Sequence, residues 1–350
     1  MLQVTNADAL PPGSWVPSPI REPDDEFLHV AAHGLHTVSL AHREGDVEEF
    51  EDAFAGPTWD ISTGESVTYG CVYERRWLCH TGTGLRLDLK RHPRGFLLAA
   101  SGNASALLAQ DHTHDGLVPV ARLGDVERAI RQQAGRMGVC LPRSSRLAVH
   151  RADLATDLGF DPAFGLDVLR AFAALPVSRH EAETHAISGF PAVKKAVKWR
   201  RGERIQMQAY DRGRARGTAP PGTLVRLERQ YRPRPRDQMT VAEFGEADLA
   251  TIYAAPLGSY ANADVVVVPS WAMADALLQA RAGSDAKALS HLGTLVRVTT
   301  RGDEAFADRA TARRRIRDLR QIGVIVADGV QAEVPLGAVI DAYVRPWGSW

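Results

Sequence analysis

Apolar and polar positions alternate between Arg204 and Arg232 in a way that predicts a β-hairpin. Ile205, Met207 and Ala209 fall on one side of the first segment, and Gln206, Gln208, Tyr210 and Arg212 on the other. In the second segment Arg226, Glu228 and Gln230 share a face, while Val225, Leu227 and Tyr231 mostly make the opposite one. The connection Gly213–Gly222 carries Pro220-Pro221, which ends the first strand and permits the return. The reading places a phenol, a carboxylate and guanidiniums together on the solvent-facing side of the hairpin. That set suits a tyrosine nucleophile aimed at a DNA phosphate.

Upstream, Phe27–Ala31, His36–Ala41, Ser66–Tyr73, Leu85–Lys90 and Phe96–Ala100 read as strands of an antiparallel meander punctuated by Gly64, Gly82 and Gly84. Ser101-Gly102-Asn103 closes the last of them as a turn. Gly124–Met137 has Val126, Ala129, Ile130, Ala134 and Met137 at helical spacing, and Pro162–Leu175 buries Phe164, Val168, Leu169 and Phe172 in the same way. Between these helices Arg146–Leu154 reads as a strand in which Leu147, Val149, Arg151 and Asp153 share a parity. An acid at the end of an otherwise apolar strand is costly to bury unless it is paired or metal-bound. Asp157 either joins Asp153 or caps the turn that follows.

The pattern changes after Pro235. Asp237–Tyr253, Pro269–Gly283 and Ala286–Thr299 read as helical, and Asp308–Gly323 as an Arg-rich helix with Ala312, Ile316 and Leu319 as its stripe. Val324–Val326, the turn Asp328-Gly329 and Val330–Val334 then give a short hairpin signal. A basic helix followed by a β-wing is a winged-helix arrangement, and it makes Arg313, Arg314 and Arg317 candidate DNA contacts. The expected fold is α+β: a curved, mainly antiparallel sheet flanked by helices, with a smaller, mostly helical, winged-helix-like C-terminal domain. The expected division is an extended, Pro-rich and acidic arm over 1–26, a catalytic, DNA-binding domain over 27–236, and the C-terminal domain over 237–350.

Charge alters this picture more than composition does. With 350 residues, 45% of them hydrophobic and 24% charged, the chain is an ordinary globular protein of more than one core. Its formal net charge is zero, yet 194–236 holds fourteen Lys and Arg against three acids, a local balance of +11. Residues 44–52 run the other way. Such asymmetry points to a polyanion held on one face. Within the basic stretch, Lys198, Trp199, Arg200 and Arg201 interleave charge with a ring, a pattern that suits single-stranded DNA. Cys71, Cys79 and Cys140 supply neither a disulfide framework nor zinc-site spacing. No apolar run reaches the roughly 20 residues of a membrane span, so no membrane partner is expected and a reducing cytoplasm is the expected compartment. His112-Thr113-His114 looks like a metal-binding histidine pair, but its surroundings read as a loop and no Tyr-x-x-x-Tyr helix follows it.

The spaced set Ser101-Gly102-Asn103, His150-Arg151-Ala152-Asp153, Val197-Lys198-Trp199, Ala209-Tyr210-Asp211-Arg212-Gly213 and Val225-Arg226-Leu227-Glu228 resembles the rolling-circle replication initiators. It is most similar to the filamentous-phage nicking-closing (II/X) proteins, and shares the Arg-x-Asp strand and Tyr-Asp-Lys segment of the Rep_trans plasmid initiators. The resemblance covers roughly 85–235. It departs from the pattern in Tyr-Asp-Arg for Tyr-Asp-Lys, which keeps the charge and changes its geometry, and in Arg-Ala-Asp for Arg-Ile-Asp or Arg-Leu-Asp.

The resemblance implies site-specific nicking and rejoining of one DNA strand at an origin, with Tyr210 joined to a 5′ phosphate. It makes Asp153 and Glu228 metal ligands, and carboxylates suit Mg²⁺ or Mn²⁺. Arg151, Arg212 and Arg226 lie beside these positions and are suited to clamp phosphate oxygens. The implied partners are origin DNA, as supercoiled duplex and single strand, a host helicase and polymerase, and a second copy in a homodimer. A conjugative relaxase of the same tyrosine family, and a non-catalytic DNA-binding regulator, are the competing readings.

Overall fold

The computed structural model describes residues 29–42, 69–73, 76–80, 83–92, 95–136, 141, 147–175, 181–187, 190–201, 204–217, 219–257, 260, 264–301, 323–327 and 329–348. The proposed arm 1–26, the acidic run 44–52 and the helix bearing Arg313, Arg314 and Arg317 lie outside them. In chain order the sheet strands and their helices are β1 (His29–His42), β2 (Tyr69–Tyr73), β3 (Arg76–His80), β4 (Arg86–His92), β5 (Gly95–Asn103), α1 (Ala104–Ala109), α2 (Leu123–Arg136), β6 (Ala148–Gly159), α3 (Pro162–Ala174), β7 (Glu181–Ile187), β8 (Phe190–Arg201), β9 (Arg204–Asp211), α4 (Arg212–Arg216) and β10 (Leu224–Tyr231). After them come α5 (Val241–Gly245), α6 (Leu249–Ala254), β11 (Val266–Val268), α7 (Trp271–Ala282), α8 (Asp285–Arg301), β12 (Val324–Val326) and α9 (Leu336–Val344).

Among the described residues ten strands form one sheet in the order β2-β3-β4-β5-β1-β6-β10-β9-β8-β7, and every neighbouring pair is antiparallel. The expected meander is its first half. The hairpin of β9 and β10 forms as the alternation predicts, with Arg226 opposite Tyr210 and Glu228 opposite Gln208. Two sequence segments read as separate strands, around 27–31 and 36–41, are one strand: β1 runs through Gly34 and changes register against β6 between Leu35 and Thr37. The bulge lets β1 turn without leaving the sheet.

Alternate side chains of the central strands face a single apolar core. Leu154 and Leu158 on β6, Val225 and Leu227 on β10, Met207 and Ala209 on β9, and Val197 and Trp199 on β8 are all buried under Val168, Leu169 and Phe172 of α3. Asp161 caps α3, accepting from the backbone N–H groups of Ala163 and Phe164, with Pro162 at the first helical position. The C-terminal helix closes the same core. Tyr343 Oη donates to the Val225 carbonyl at 3.0 Å, Tyr253 Oη to the Leu227 carbonyl at 2.7 Å, and Trp347 stacks on Tyr253. The boundary at 236/237 therefore does not divide this core: Phe244, Tyr253, Val339 and Tyr343 belong to it.

A second cluster, built from Val266, Val268, Ala274, Leu278, Ala288, Leu295, Val324 and Val326, packs α7 and α8 on a small sheet. Here the hairpin expectation is corrected. β12 pairs in parallel with β11, and Val334 bridges β11 from the other side, so β11 lies between the two segments expected to pair. The sequence reading did not identify β11, a three-residue valine run too short to show a period. The span Asp237–Tyr253 likewise resolves into two short helices, each with its own cap, Thr240 and Asp248. No helix among the described residues is long and apolar enough to cross a membrane.

Candidate functional site

The opposite face of β6, β9 and β10 is polar, and the structure corrects where it points. It was expected to face solvent, but Asp153, Arg226 and Glu228 are 1%, 1% and 2% exposed. Antiparallel register sets them in rows: Gln230 lies opposite Asp153, and Arg226 lies between Asp157 on β6 and Tyr210 on β9. Buried charges must be paired or hydrogen-bonded, and each of these is. The Arg226 fork spans Asp157, with Nε donating at 2.5 Å and Nη2 at 2.7 Å. This resolves the role of Asp157, which is neither a cap nor a companion of Asp153. Arg151 donates to both oxygens of Asp153, and Gln208 donates to Glu228 Oε1 at 2.9 Å.

His36 completes the cluster from β1, at the bulge between Leu35 and Thr37. One ligand atom each of His36, Asp153 and Glu228 lies within 4.8 Å of the others. Sequence reasoning missed His36; the bulge interrupts the alternation on either side of it, and only the pairing of β1 with β6 brings it here.

The donor set fits a divalent cation. His36 Nε2 is engaged with Asp115 Oδ1 at 2.9 Å, and Nδ1 is buried without a hydrogen-bond partner, 3.3 Å from Glu228 Oε2 but not aligned with it. A ring nitrogen facing two carboxylates, with the other nitrogen held by a third, is how histidine is presented to a metal. The Arg151 fork leaves lone pairs on both Asp153 oxygens. One imidazole with two carboxylates suits Mn²⁺ at least as well as Mg²⁺.

Tyr210 stands over this cluster, its Oη 3.4 Å from Glu228 Oε2. Burial, and then the Glu228 charge, push the phenol pKa up, while Arg226 and Arg212 pull the other way. Burial raises the Asp153 carboxyl above its ordinary range; Arg151 works against this and Glu228 adds to it. Burial would raise Glu228 too, but His36, Arg226 and Gln208 hold it below its ordinary value. For His36, burial lowers the pKa and the neighbouring Glu228 carboxylate more than reverses that. The two carboxyls are therefore unequal, with Glu228 the one poised to stay charged.

The Tyr-Asp-Arg segment has a folding role that the sequence reading did not give it. Asp211 accepts from the backbone N–H of Arg214 at 3.0 Å and of Gly222 at 2.8 Å, which caps α4 and ties its start to Gly222, just before β10. Arg212, expected on the strand, therefore opens α4, where Nη2 donates to the Asp115 carbonyl at 2.9 Å and to the Asp115 carboxylate. Arg226 Nη1 and Arg212 Nε are buried N–H groups without a hydrogen-bond partner. Both arginines draw the Tyr210 phenol pKa down, Arg226 through its charge and a side-chain hydrogen bond and Arg212 through its charge.

The other expected contacts divide. Lys198 is half-buried opposite Gln208, on the polar face. Trp199 is corrected: it is fully buried, opposite Met207 and 5.8 Å from the Phe172 ring, and is not available to stack on a base. Arg200 and Arg201 lie on β8. Arg151 is committed to Asp153. His112 and His114 are exposed in the loop after α1 and are not members of the cluster that His36 completes.

Comparison of the sequence with protein-family models and with curated proteins returns no match. A solved structure described as a rolling circle replication initiator protein from Geobacillus stearothermophilus is similar over 76% of this chain and 96% of that one, at 10% identity and a TM-score of 0.34. A likeness that slight assigns neither family nor activity, and the functional reading rests on the site itself.

Proposed function

We propose that this protein nicks and rejoins a single DNA strand through a covalent 5′-phosphotyrosine, as a rolling-circle replication initiator does. The observation that carries the reading is the convergence of Tyr210 with His36, Asp153 and Glu228, with His36 Nδ1 lying 3.3 Å from Glu228 Oε2 without an aligned hydrogen bond.

In the proposed reaction Tyr210 Oη attacks the scissile phosphorus. The Oη–P bond forms, the bond from phosphorus to the 3′ oxygen breaks, and the 3′ oxygen takes a proton from solvent water as it leaves. Glu228 Oε2 is the carboxylate oxygen that accepts from the phenol and orients it, and the phenol proton passes to solvent water as Oη attacks. Arg226 Nη1 and Arg212 Nε hold the non-bridging oxygens, where donors preorganised by Asp157 and Asp115 cost no reorganisation during the step. His36, Asp153 and Glu228 would hold Mn²⁺ or Mg²⁺, which when bound supplies Lewis-acid polarisation of a phosphoryl oxygen. Because phenolate is a competent leaving group, the link is reversible and the strand can be rejoined.

The test is incubation of the full chain and Mn²⁺ with supercoiled DNA carrying the region that flanks its own gene. Nicked circles are expected, with a denaturation-resistant adduct whose protein peptide contains Tyr210 and whose DNA begins at one mapped 5′ end. Nicking retained by Tyr210→Phe, or no adduct with the unaltered chain, overturns the reading.

A further inference from the structure

The loop that follows α1 carries a carboxylate that touches both halves of the site. Asp115 Oδ1 accepts from His36 Nε2 at 2.9 Å and from Asn103 Nδ2 at 3.1 Å, while its carboxylate and carbonyl accept from Arg212 Nη2. The loop is held from both sides. Asn103, at the end of β5, caps α1 by accepting from the backbone N–H of Ser105 and Ala106, and Ser105 Oγ accepts from Gly116 N at 2.7 Å. Further on, Leu35 and Val118 exchange backbone hydrogen bonds of 2.7 and 3.0 Å. That approach is possible because residue 34 is glycine: a Cβ there would lie 2.4 Å from the Val118 carbonyl oxygen, and its φ of 150° is one L side chains rarely adopt. The anchors keep Asp115 beside the bulge that presents His36. Arg212 and His36 together hold its carboxyl at about 2 against the opposing effect of burial, so it is charged throughout the working pH range.

We propose that Asp115 is a positioning residue: its carboxylate sets the His36 ring with Nδ1 toward Asp153 and Glu228, and holds Arg212 beside Tyr210. The metal-binding and phosphate-binding groups are thus placed by one side chain that touches neither the metal nor the phosphate. An aspartate does this because it is acceptor-only. An asparagine of the same shape keeps one acceptor and turns an amine to the other partner, so it cannot serve the His36 and Arg212 donors together. Partners that orient a metal-binding histidine are worth roughly 10–100-fold in metal affinity. The proposal rests on the metal-assisted reading above, and its test separates the two.

The experiment is ¹⁵N spectroscopy of the His36 ring in the metal-free full chain, assigned with His36→Gln, above the pH at which His36 titrates, together with Mn²⁺ titration calorimetry. The unaltered protein is expected to carry its ring proton on Nε2 and to leave Nδ1 bare. Asp115→Asn is expected to mix the tautomers and to weaken Mn²⁺ binding roughly 10–100-fold. A proton on Nδ1 in the unaltered protein overturns the proposal without any variant, so a poorly folding Asp115→Asn chain does not shield it. Unchanged tautomer and affinity in Asp115→Asn overturn it as well. If the Nε2–H tautomer is found but no Mn²⁺ binds, the metal reading falls and the role of Asp115 in orienting His36 is supported.

Discussion

The two faces of β6, β9 and β10 are both largely buried and are stabilised by different means. On one side Leu154, Met207, Val225 and Leu227 are sealed under α3 and the C-terminal helix. On the other, an almost equally dry surface holds Asp153, Asp157, Arg226, Glu228 and Gln230. The first face gains free energy from every methylene it buries. The second incurs a desolvation cost that its ion pairs at best offset, since two buried charges are commonly no better than an apolar pair of the same shape. A protein selected only for stability would make both faces alike. The polar face instead keeps ion-paired groups, and His36, Asp153 and Glu228 converge on it.

The sharpest way to break the contrast is to remove one member of a pair on each side. Arg226→Ala strands the Asp157 carboxylate in the interior and is expected to cost about 3–5 kcal/mol, measured by urea denaturation. Leu227→Ala, the adjacent residue on the other face, is expected to cost about 2–5 kcal/mol through its cavity. The two losses overlap in size but differ in consequence: the first also abolishes nicking, and the second leaves the chemistry of the surviving folded fraction intact. If Arg226→Ala costs under about 1 kcal/mol, the polar face is wetter than its burial implies.

A smaller effect comes from the ion. Mn²⁺ at about 100 times its dissociation constant is expected to stabilise the unaltered chain by about 2.7 kcal/mol, seen as a rise in Tm. Glu228→Gln is expected to lose that rise while remaining folded. An equal rise in both chains would place the ion elsewhere.

The pH dependence has two opposite signs. His36 has a raised pKa in the folded, metal-free protein. Its contribution to stability is therefore fully present below the unfolded value of about 6.5 and is lost as pH rises through the higher folded value. Mn²⁺ affinity runs the other way, because only the neutral ring can ligate; it is expected to fall as pH drops through that raised value. Calorimetric titrations across neutral pH check both. The smallest change is on the apolar face: Tyr343→Phe removes the hydrogen bond to the Val225 carbonyl and is expected to cost about 1 kcal/mol, with nicking unchanged.

What could be read from the chain follows the range of the interactions involved. Period-two alternation located the β9–β10 hairpin and put Tyr210 and Glu228 on one face of it, because hairpin pairing is local; the register comes from the structure. Asp153 was legible as an acid on an otherwise apolar strand. The same parity, applied to β8, puts Trp199 on the face opposite Lys198, and following it would have withdrawn Trp199 as a DNA contact. His36 and Asp115 were illegible for another reason. One sits at a bulge that breaks the alternation, the other in an irregular loop beside a histidine pair that drew attention to itself, and both reach the site through long-range contacts. The partnership of Asp157 with Arg226 was open for the same cause: strands β6 and β10 are neighbours in space but not in sequence.

The central claim is that the polar face is built to hold a metal beside Tyr210. Diffraction from crystals soaked in Mn²⁺, with data collected at the manganese absorption edge, tests it most directly. The account predicts one anomalous peak within coordination distance of His36 Nδ1 and of the Asp153 and Glu228 carboxylates, on the side of Glu228 that meets the Tyr210 hydroxyl. A peak bound elsewhere, or none while His36 Nδ1 points into the cluster as described, would contradict it.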